Sequence, residues 1–271
     1  DMGRMDGKVA VITGGGRGQG RSHAVTLASE GADVVILDAP GDIATIDYAM
    51  STADDMAETV ALVEKHDRRC LAIEADIRDT AAVNAAAEQT MSEFGRVDAL
   101  ISNAGVMGAA DSTWQLTDEQ WQDMLDVNVT GGWKVCRAFI PHMIAGKRGG
   151  AITLTGSTGG LRSVAGCTHY NVAKHGLIAL MRTLAWELAP EMIRVNVVHP
   201  TGVNTDMSNN PWFVEWMGTH ERLTGPMRGN LMPVDVVQPE DVSKMIAFLV
   251  SDDARYVTGT EVRVDAGFML K

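Results

Sequence analysis

The sequence predicts a doubly wound α/β fold, a parallel sheet of seven strands with helices on both faces, and three observations predict it. Short β-branched runs alternate with Ala-rich stretches of helical period along the chain. Several of the runs are apolar almost throughout, as expected of parallel strands covered on both sides. A glycine-rich turn joins the first run to the first helical stretch, the place where open α/β sheets bind ligands. The strand runs fall at residues 8–12, 33–37, 70–74, 99–102, 150–154, 194–198 and 261–264. Helical patterns lie between them at 18–30, 51–66, 80–94, 117–144, 168–188 and 239–251. This order implies right-handed crossovers. A chain of 271 residues that is 45% hydrophobic is expected to form one domain over 1–271.

Two segments break the alternation. Residues 38–50 exceed a usual strand-to-helix turn. Residues 201–237 form a long irregular stretch with Trp212, Phe213, Trp216, several methionines and the prolines Pro211, Pro226 and Pro233. Long connections of this kind are often functional. A short apolar helix over 208–218 makes a substrate lid the favoured reading of 201–237, with an oligomer contact as the other.

The net charge of −12 argues against nucleic acid or an anionic membrane as a main partner. It leaves open an anionic cofactor held at a helix N-terminus. Cys70, Cys136 and Cys167 show no metal spacing, which fits a reducing compartment. No stretch reads as a leader or a membrane span, so the expectation is a cytoplasmic protein. No His, Cys or carboxylate cluster suggests a metal.

The turn after the first strand reads Thr13-Gly14-Gly15-Gly16-Arg17-Gly18-Gln19-Gly20 and opens a helix. Glycines here permit a tight turn and close approach to a pyrophosphate, and the helix start offers free N–H groups. Gly14, Arg17, Gly18, Gln19 and Gly20 are therefore candidate cofactor residues. Asp38 ends the second strand at the spacing of an acid that accepts hydrogen bonds from the adenosine ribose. It would repel a 2′-phosphate, so NAD is favoured over NADP. Arg17 points the other way, since a cation in this turn can hold that phosphate; its bland alternative is a solvent-facing helix start. Asp76 and Ile77 follow the third strand, where they can meet the adenine edge. Asn103, Ala104 and Gly105 follow the fourth, where small residues admit the ribose.

Ser157, Tyr170 and Lys174 form the chemical constellation. Tyr170 and Lys174 are four apart in a helical pattern and so share a face. A phenol is a poor base at its ordinary pKa of about 10, and an adjacent ammonium is expected to lower it. The phenol could then take a hydroxyl proton as a hydride leaves the same carbon. Ser157, at the end of the fifth strand, would hold the substrate oxygen. His169, His175 and His199 are read as structural.

These residues resemble the short-chain dehydrogenase/reductase family in its single-domain branch. The resemblance rests on TGGGRGQG at 13–20, NAG at 103–105, Asn128 in DVNVTG, Ser157, YNVAK at 170–174 and HPTGVNT at 199–205. It covers essentially the whole chain and implies a Rossmann-type sheet. It also implies a catalytic tetrad in which Asn128 holds a water linking Lys174 to solvent. Val203 and Thr205 would hold the nicotinamide carboxamide, Tyr170 and Lys174 would also contact the cofactor, with Lys174 on its ribose, and the helices bearing Asn128 and Tyr170 would build a homotetramer. The runs GQGRSHAVTLASEGADVV, HPTGVNTDM and SDDARYVTGTEVRVDAGFMLK, with the long 38–50 segment, resemble the actinobacterial carveol dehydrogenases, or mycofactocin-coupled oxidoreductases. That subgroup is thought to hold NAD so tightly that an external redox carrier recycles it, with the 38–50 segment as a cover beside the adenosine pocket.

The expected function is hydride transfer between NAD and an apolar secondary alcohol or ketone, with a cyclic terpenoid such as carveol as the implied substrate type. The rival from another class is a non-catalytic NAD-bound sensor or scaffold on the same fold, which would not need the Asn128, Ser157, Tyr170 and Lys174 set. A sugar-nucleotide epimerase or dehydratase would need a second substrate domain, for which the chain has little room.

Overall fold

A computed structural model describes residues 3–271; residues 1 and 2, part of the expected domain 1–271, lie outside the described residues. Strands β1 (Val9–Thr13), β2 (Asp33–Asp38), β3 (Cys70–Glu74), β4 (Ala99–Ser102), β5 (Gly150–Thr155), β6 (Ile193–Pro200) and β7 (Glu261–Val264) pair in the order β3-β2-β1-β4-β5-β6-β7. Every pairing is parallel. The order reverses between β1 and β4, and the crevice at their carboxyl ends is where such sheets take ligands. β6 is buried along its whole length, which explains its nearly continuous apolar sequence.

Two cores flank the sheet. On one face, Val83 of α3 (Thr80–Phe94), Val135 and Phe139 of α5 (Gly132–Gly146), and Leu177 and Met181 of α6 (Thr168–Leu188) pack on Val11, Leu100 and Ile152. On the other, Leu27 of α1 (Gly18–Ser29), Met56 of α2 (Ala53–Glu64) and Ile246 of α10 (Pro239–Val250) cover Ile12, Ile36 and Ile101.

The stretch read as one helix over 117–144 is broken. Thr117 caps α4 (Asp118–Leu125) in a capping box with Gln120. A wider π-helical turn, Asp126–Gly131, then precedes α5. The cause lies in Asn128, whose side-chain amide donates to the Met124 carbonyl four residues back, at 3.0 Å, and so competes with the backbone ladder. Such turns often mark functional positions.

Residues 201–237 leave the sheet and return to it. Val203 and Val237 pair as an isolated parallel bridge, closing the base of the excursion. It carries α7 (Asp206–Asn209), α8 (Pro211–Thr219) and α9 (Glu221–Thr224). Asn210 caps α8 by accepting the Phe213 N–H at 2.8 Å. The helix expected at 208–218 is thus two short helices separated by that cap. Trp216 is buried and stacks on His220, with ring centroids 5.2 Å apart.

Candidate functional site

The glycine-rich turn is packed to backbone contact. Gly14 has φ +67°, and a Cβ on Gly20 would stand 1.9 Å from the Gly14 carbonyl oxygen. Only hydrogen fits at such a place. α1 starts at Gly18 with no side-chain cap and no acid in its first turn. Its first N–H groups and the positive end of its dipole are left for a ligand. They open on a cavity of about 550 Å³ that Gly14, Arg17, Gly18 and Gln19 help to line.

Most of the other expected cofactor residues meet at the same cavity; Gly20, Tyr170, Lys174 and Val203 are not in its wall. Asp38 lines it, and its two oxygens accept the N–H groups of Gly16 and Ala39, each at 2.8 Å. Each oxygen keeps acceptor capacity for a hydroxyl. Asp76 and Ile77 line the cavity beside β3. The Asp76 carboxylate is gripped by Arg78 at 2.7 Å. Burial works against its charge, yet the Arg78 hydrogen bonds hold its carboxyl below the usual range. Asn103, Ala104 and Gly105 form the wall after β4, together with Thr205 from the start of the excursion. Val203 is buried at the Val203–Val237 bridge behind Thr205 rather than in the cavity wall. Arg17 is neither solvent-facing nor free. Its Nη1 pairs with Asp206 Oδ2 at 3.1 Å and its Nη2 donates to the Ala49 carbonyl, so it joins the turn, α7 and the 39–52 strap.

α6 brings Tyr170 and Lys174 inward, one turn apart. Lys174 Nζ lies 5.5 Å from the Tyr170 ring centroid and donates to the Thr155 carbonyl at 2.9 Å. Ser157 follows β5, and its Oγ accepts the Gly159 N–H at 3.0 Å. The spacing of Tyr170 and Lys174 predicts that the ammonium lowers the phenol. With the protein's own groups burial wins: it pushes the Tyr170 phenol up to about 12, against the opposing Ser157 hydroxyl. Burial also brings the Lys174 ammonium down to about 8. Both shifts have one cause, since an enclosed site disfavours the charged form of each group.

Asn128 is buried with Oδ1 accepting the Val106 N–H at 3.3 Å and Nδ2 donating to the Val106 carbonyl at 3.0 Å. A Cβ on Gly105 would meet Asn128 Oδ1 at 2.7 Å and Lys174 Nζ at 3.3 Å. The two polar groups therefore lie just behind the wall of the cavity. His169 is buried, and burial lowers it to about 4, which keeps it neutral. His199 Nδ1 contacts the Ser157 carbonyl at 2.8 Å, a brace for the β5 end. His175 Nδ1 is bound to the Asn171 carbonyl of its own helix. Among the described residues no cluster of His, Cys, Asp or Glu could hold a metal.

Three participants escaped the sequence reading. Thr13 Oγ1 accepts the N–H groups of both Asn103 and Ala104 at 3.0 Å. Its place at the head of the glycine run was a readable signal. Tyr48 lines the cavity and its hydroxyl accepts the Met107 N–H at 3.1 Å. The 38–50 segment therefore reaches the loop after β4, and no local pattern foretells that reach. The π-helical turn at Asn128 is the third, since a period of 3.6 does not register a single wider turn.

Comparison with known proteins agrees with this geometry. A family model described as enoyl-(acyl carrier protein) reductase matches residues 14–269. The chain is 44% identical to the (-)-trans-carveol dehydrogenase of Rhodococcus erythropolis over 100% of both sequences. It belongs to the short-chain dehydrogenase/reductase family. Among solved structures of this family, the carveol dehydrogenase of Mycobacterium avium in complex with NAD has a TM-score of 0.95 at 43% identity, covering 99% of this chain and 100% of that one. A short-chain dehydrogenase from Mycobacterium paratuberculosis bound to NAD has a TM-score of 0.94 at 37% identity, with the same coverage. The seven-stranded Rossmann-type sheet expected from the sequence is the sheet of these relatives. No described helix is long and apolar enough to cross a membrane.

Proposed function

We propose that the chain is an NAD-dependent dehydrogenase acting on an apolar secondary alcohol or ketone, with a cyclic terpenoid of the carveol type as substrate. One observation carries the reading. Lys174 and Asn128 lie behind the Gly105 wall of a cavity whose far end presents Asp38 and an uncapped helix start. The cavity has the size of a ligand site, and its chemistry fits a dinucleotide. Free N–H groups at α1 suit a pyrophosphate, and the acceptor oxygens of Asp38 suit ribose hydroxyls and repel a 2′-phosphate. Thr205, Asn103, Ala104 and Gly105 would flank the nicotinamide half, with Val203 buttressing Thr205. The relatives in complex with NAD support this choice.

NAD, when bound, supplies the hydride acceptor. Tyr170 Oη takes the hydroxyl proton in oxidation and returns it in reduction. Ser157 Oγ orients the substrate oxygen. Lys174 Nζ provides the cation beside the phenol, and Asn128, which braces Val106, would hold the water that links Lys174 to solvent. An intact set of these four residues favours catalysis over a sensor or scaffold role. Because burial holds the phenol at about 12, its protonated form predominates near neutrality. Alcohol oxidation is therefore expected to rise between pH 6 and 8 by up to about tenfold per unit, the slope of a base far below its pKa. Ketone reduction, which uses the protonated phenol, is expected to stay level there. Initial rates in both directions check this, and a level oxidation profile would contradict it.

The 39–52 strap and α7 would close the cofactor groove. Arg17 holds both, through Asp206 and the Ala49 carbonyl. Arg17→Ala is expected to speed NAD dissociation about tenfold, since it loses an ion pair and a charge-assisted hydrogen bond. Stopped-flow displacement would measure this, and an unchanged rate would remove Arg17 from the closure. A groove closed in this way suits an external redox carrier of the mycofactocin kind. Trp133 on α5 and the exposed Val172 and Trp186 on α6 suit a homotetramer built through these helices in the cytoplasm. Sedimentation would read the oligomer.

The deciding assay offers carveol and other cyclic secondary alcohols with NAD, and in parallel with a dye acceptor. Oxidation of cyclic secondary alcohols in preference to linear primary ones supports the reading. No turnover of any cyclic alcohol by NAD-loaded protein, with or without the dye, would sink it.

A further inference from the structure

The loop after β4 is held almost wholly by side chains. Asn103 and Ala104 give their N–H groups to Thr13 Oγ1. Val106 gives its N–H to Asn128 Oδ1 and takes an N–H from Asn128 Nδ2. Met107 gives its N–H to the Tyr48 hydroxyl at 3.1 Å. Regular backbone partners resume only at Ala110, whose N–H bonds the Gly166 carbonyl at 2.8 Å. Backbone groups enclosed in this way need partners, and here three separate parts of the fold supply them.

Two of those anchors sit on rigid elements, the end of β1 and the π-helical turn. The third sits on the strap, which has no helix or strand of its own between 39 and 52. The strap is nonetheless fastened. Ile46 is buried, Asp42 Oδ1 accepts the Met50 N–H at 2.9 Å, and Thr45 Oγ1 donates to Asp123 Oδ2 of α4 at 2.7 Å. Burial raises the Tyr48 phenol, so it stays uncharged, and Tyr170 adds to the rise.

We propose that Tyr48 is a positioning residue of the catalytic end: by holding Met107 it sets the 103–107 loop, and with it the Gly105 wall, against Asn128 and Lys174. The fit leaves little slack, because a Cβ on Gly105 would already press on both groups, at 2.7 Å from Asn128 Oδ1 and 3.3 Å from Lys174 Nζ. A loop freed at Met107 pivots on Val106 and changes that wall. The strap thus forms part of the active site as well as a cover for the groove. The catalytic consequence rests on the function proposed above; the structural one does not.

Tyr48→Phe keeps the ring and removes the acceptor. Amide exchange in the cofactor-free protein tests the structural claim, with Ile152 in the interior strand β5 reporting global opening. The Met107 amide is expected to exchange about tenfold faster or more, as for a buried donor that loses its partner, while Ile152 is unchanged. An unchanged Met107, or equal acceleration at both amides, overturns the proposal. In NAD-loaded enzyme kcat is expected to fall about tenfold with the alcohol KM nearly constant, the signature of a loss confined to the transition state. Faster Met107 exchange with unaltered kcat overturns the catalytic consequence alone. Thr45→Val loosens the strap at α4 and leaves the Tyr48 hydroxyl intact. It is expected to speed Met107 exchange and to lower kcat less than Tyr48→Phe does, and equal effects in the two variants overturn a role specific to Tyr48.

Discussion

Tyr170→Phe is expected to lower kcat for alcohol oxidation by about 10³-fold, within the range that a positioned acid or base contributes. NAD affinity should change less than about threefold, as for substitutions that remove no contact to the bound group. The Tyr170 ring is partly buried and packs beside Lys174, whose Nζ lies 5.5 Å from the ring centroid. Phenylalanine keeps the ring and its packing and deletes only the oxygen that carries the proton. His169, the adjacent imidazole, is itself driven neutral by burial and points its Nδ1 into a region with no partner. Pre-steady-state turnover of carveol with matched calorimetry of NAD binding reads both quantities. Retained turnover in the variant would require a different proton carrier. Loss of turnover together with loss of NAD binding would show the ring to be structural.

The fold was legible because its signals are local and repeated. Strands β3, β4 and β7 begin and end where the apolar runs do, and α3 and α6 match their periodic stretches. Burial alone does not decide this: β4 is buried throughout, whereas β3 and β7 are the partly exposed edges of the sheet, and the fully buried β6 runs beyond the expected 194–198. The site was legible where residue type and position in the fold coincide. Asp38 at the end of β2 and Ser157 just past β5 sit at strand ends, and Tyr170 and Lys174 share a helix face, all features a spacing can report. What stayed hidden depends on tertiary reach. Arg17 offered two local readings, and its partners Ala49 and Asp206 lie 32 and 189 residues away. Tyr48 meets Met107 across 59 residues. The direction of the Tyr170 shift was hidden for a related reason. The sequence displays the neighbouring charge, while burial, which dominates here, exists only once the sheet and helices have closed around the ring.

Gly20→Val is expected to weaken NAD binding by about 100-fold or more. The reason is contact between backbone atoms. A Cβ at residue 20 would lie 1.9 Å from the Gly14 oxygen and 2.7 Å from its carbonyl carbon, so no rotamer of the new side chain relieves it. Either the turn opens or α1 slides away from it. α1 is fastened on its far side, where the Ser22 and His23 side chains both meet Ser243 Oγ of α10 at 2.8 Å. The turn is therefore the part that yields, and Gly14, whose φ of +67° aims its neighbours at the cavity, moves with it. Overpacking of this kind typically costs about 1–3 kcal/mol, and the upper end of that range corresponds to about 100-fold in an equilibrium constant. The damage should fall on binding more than on folding, because Leu27 and Ala28 farther along α1 remain buried in the core with Ile12 and Ile36. Calorimetry of NAD binding beside a thermal melt separates the two. A variant that melts within a few degrees of the parent yet no longer retains NAD places the pyrophosphate at this turn. A variant that binds NAD as tightly as the parent would mean that the phosphates are held elsewhere, and the uncapped start of α1 would then need another ligand.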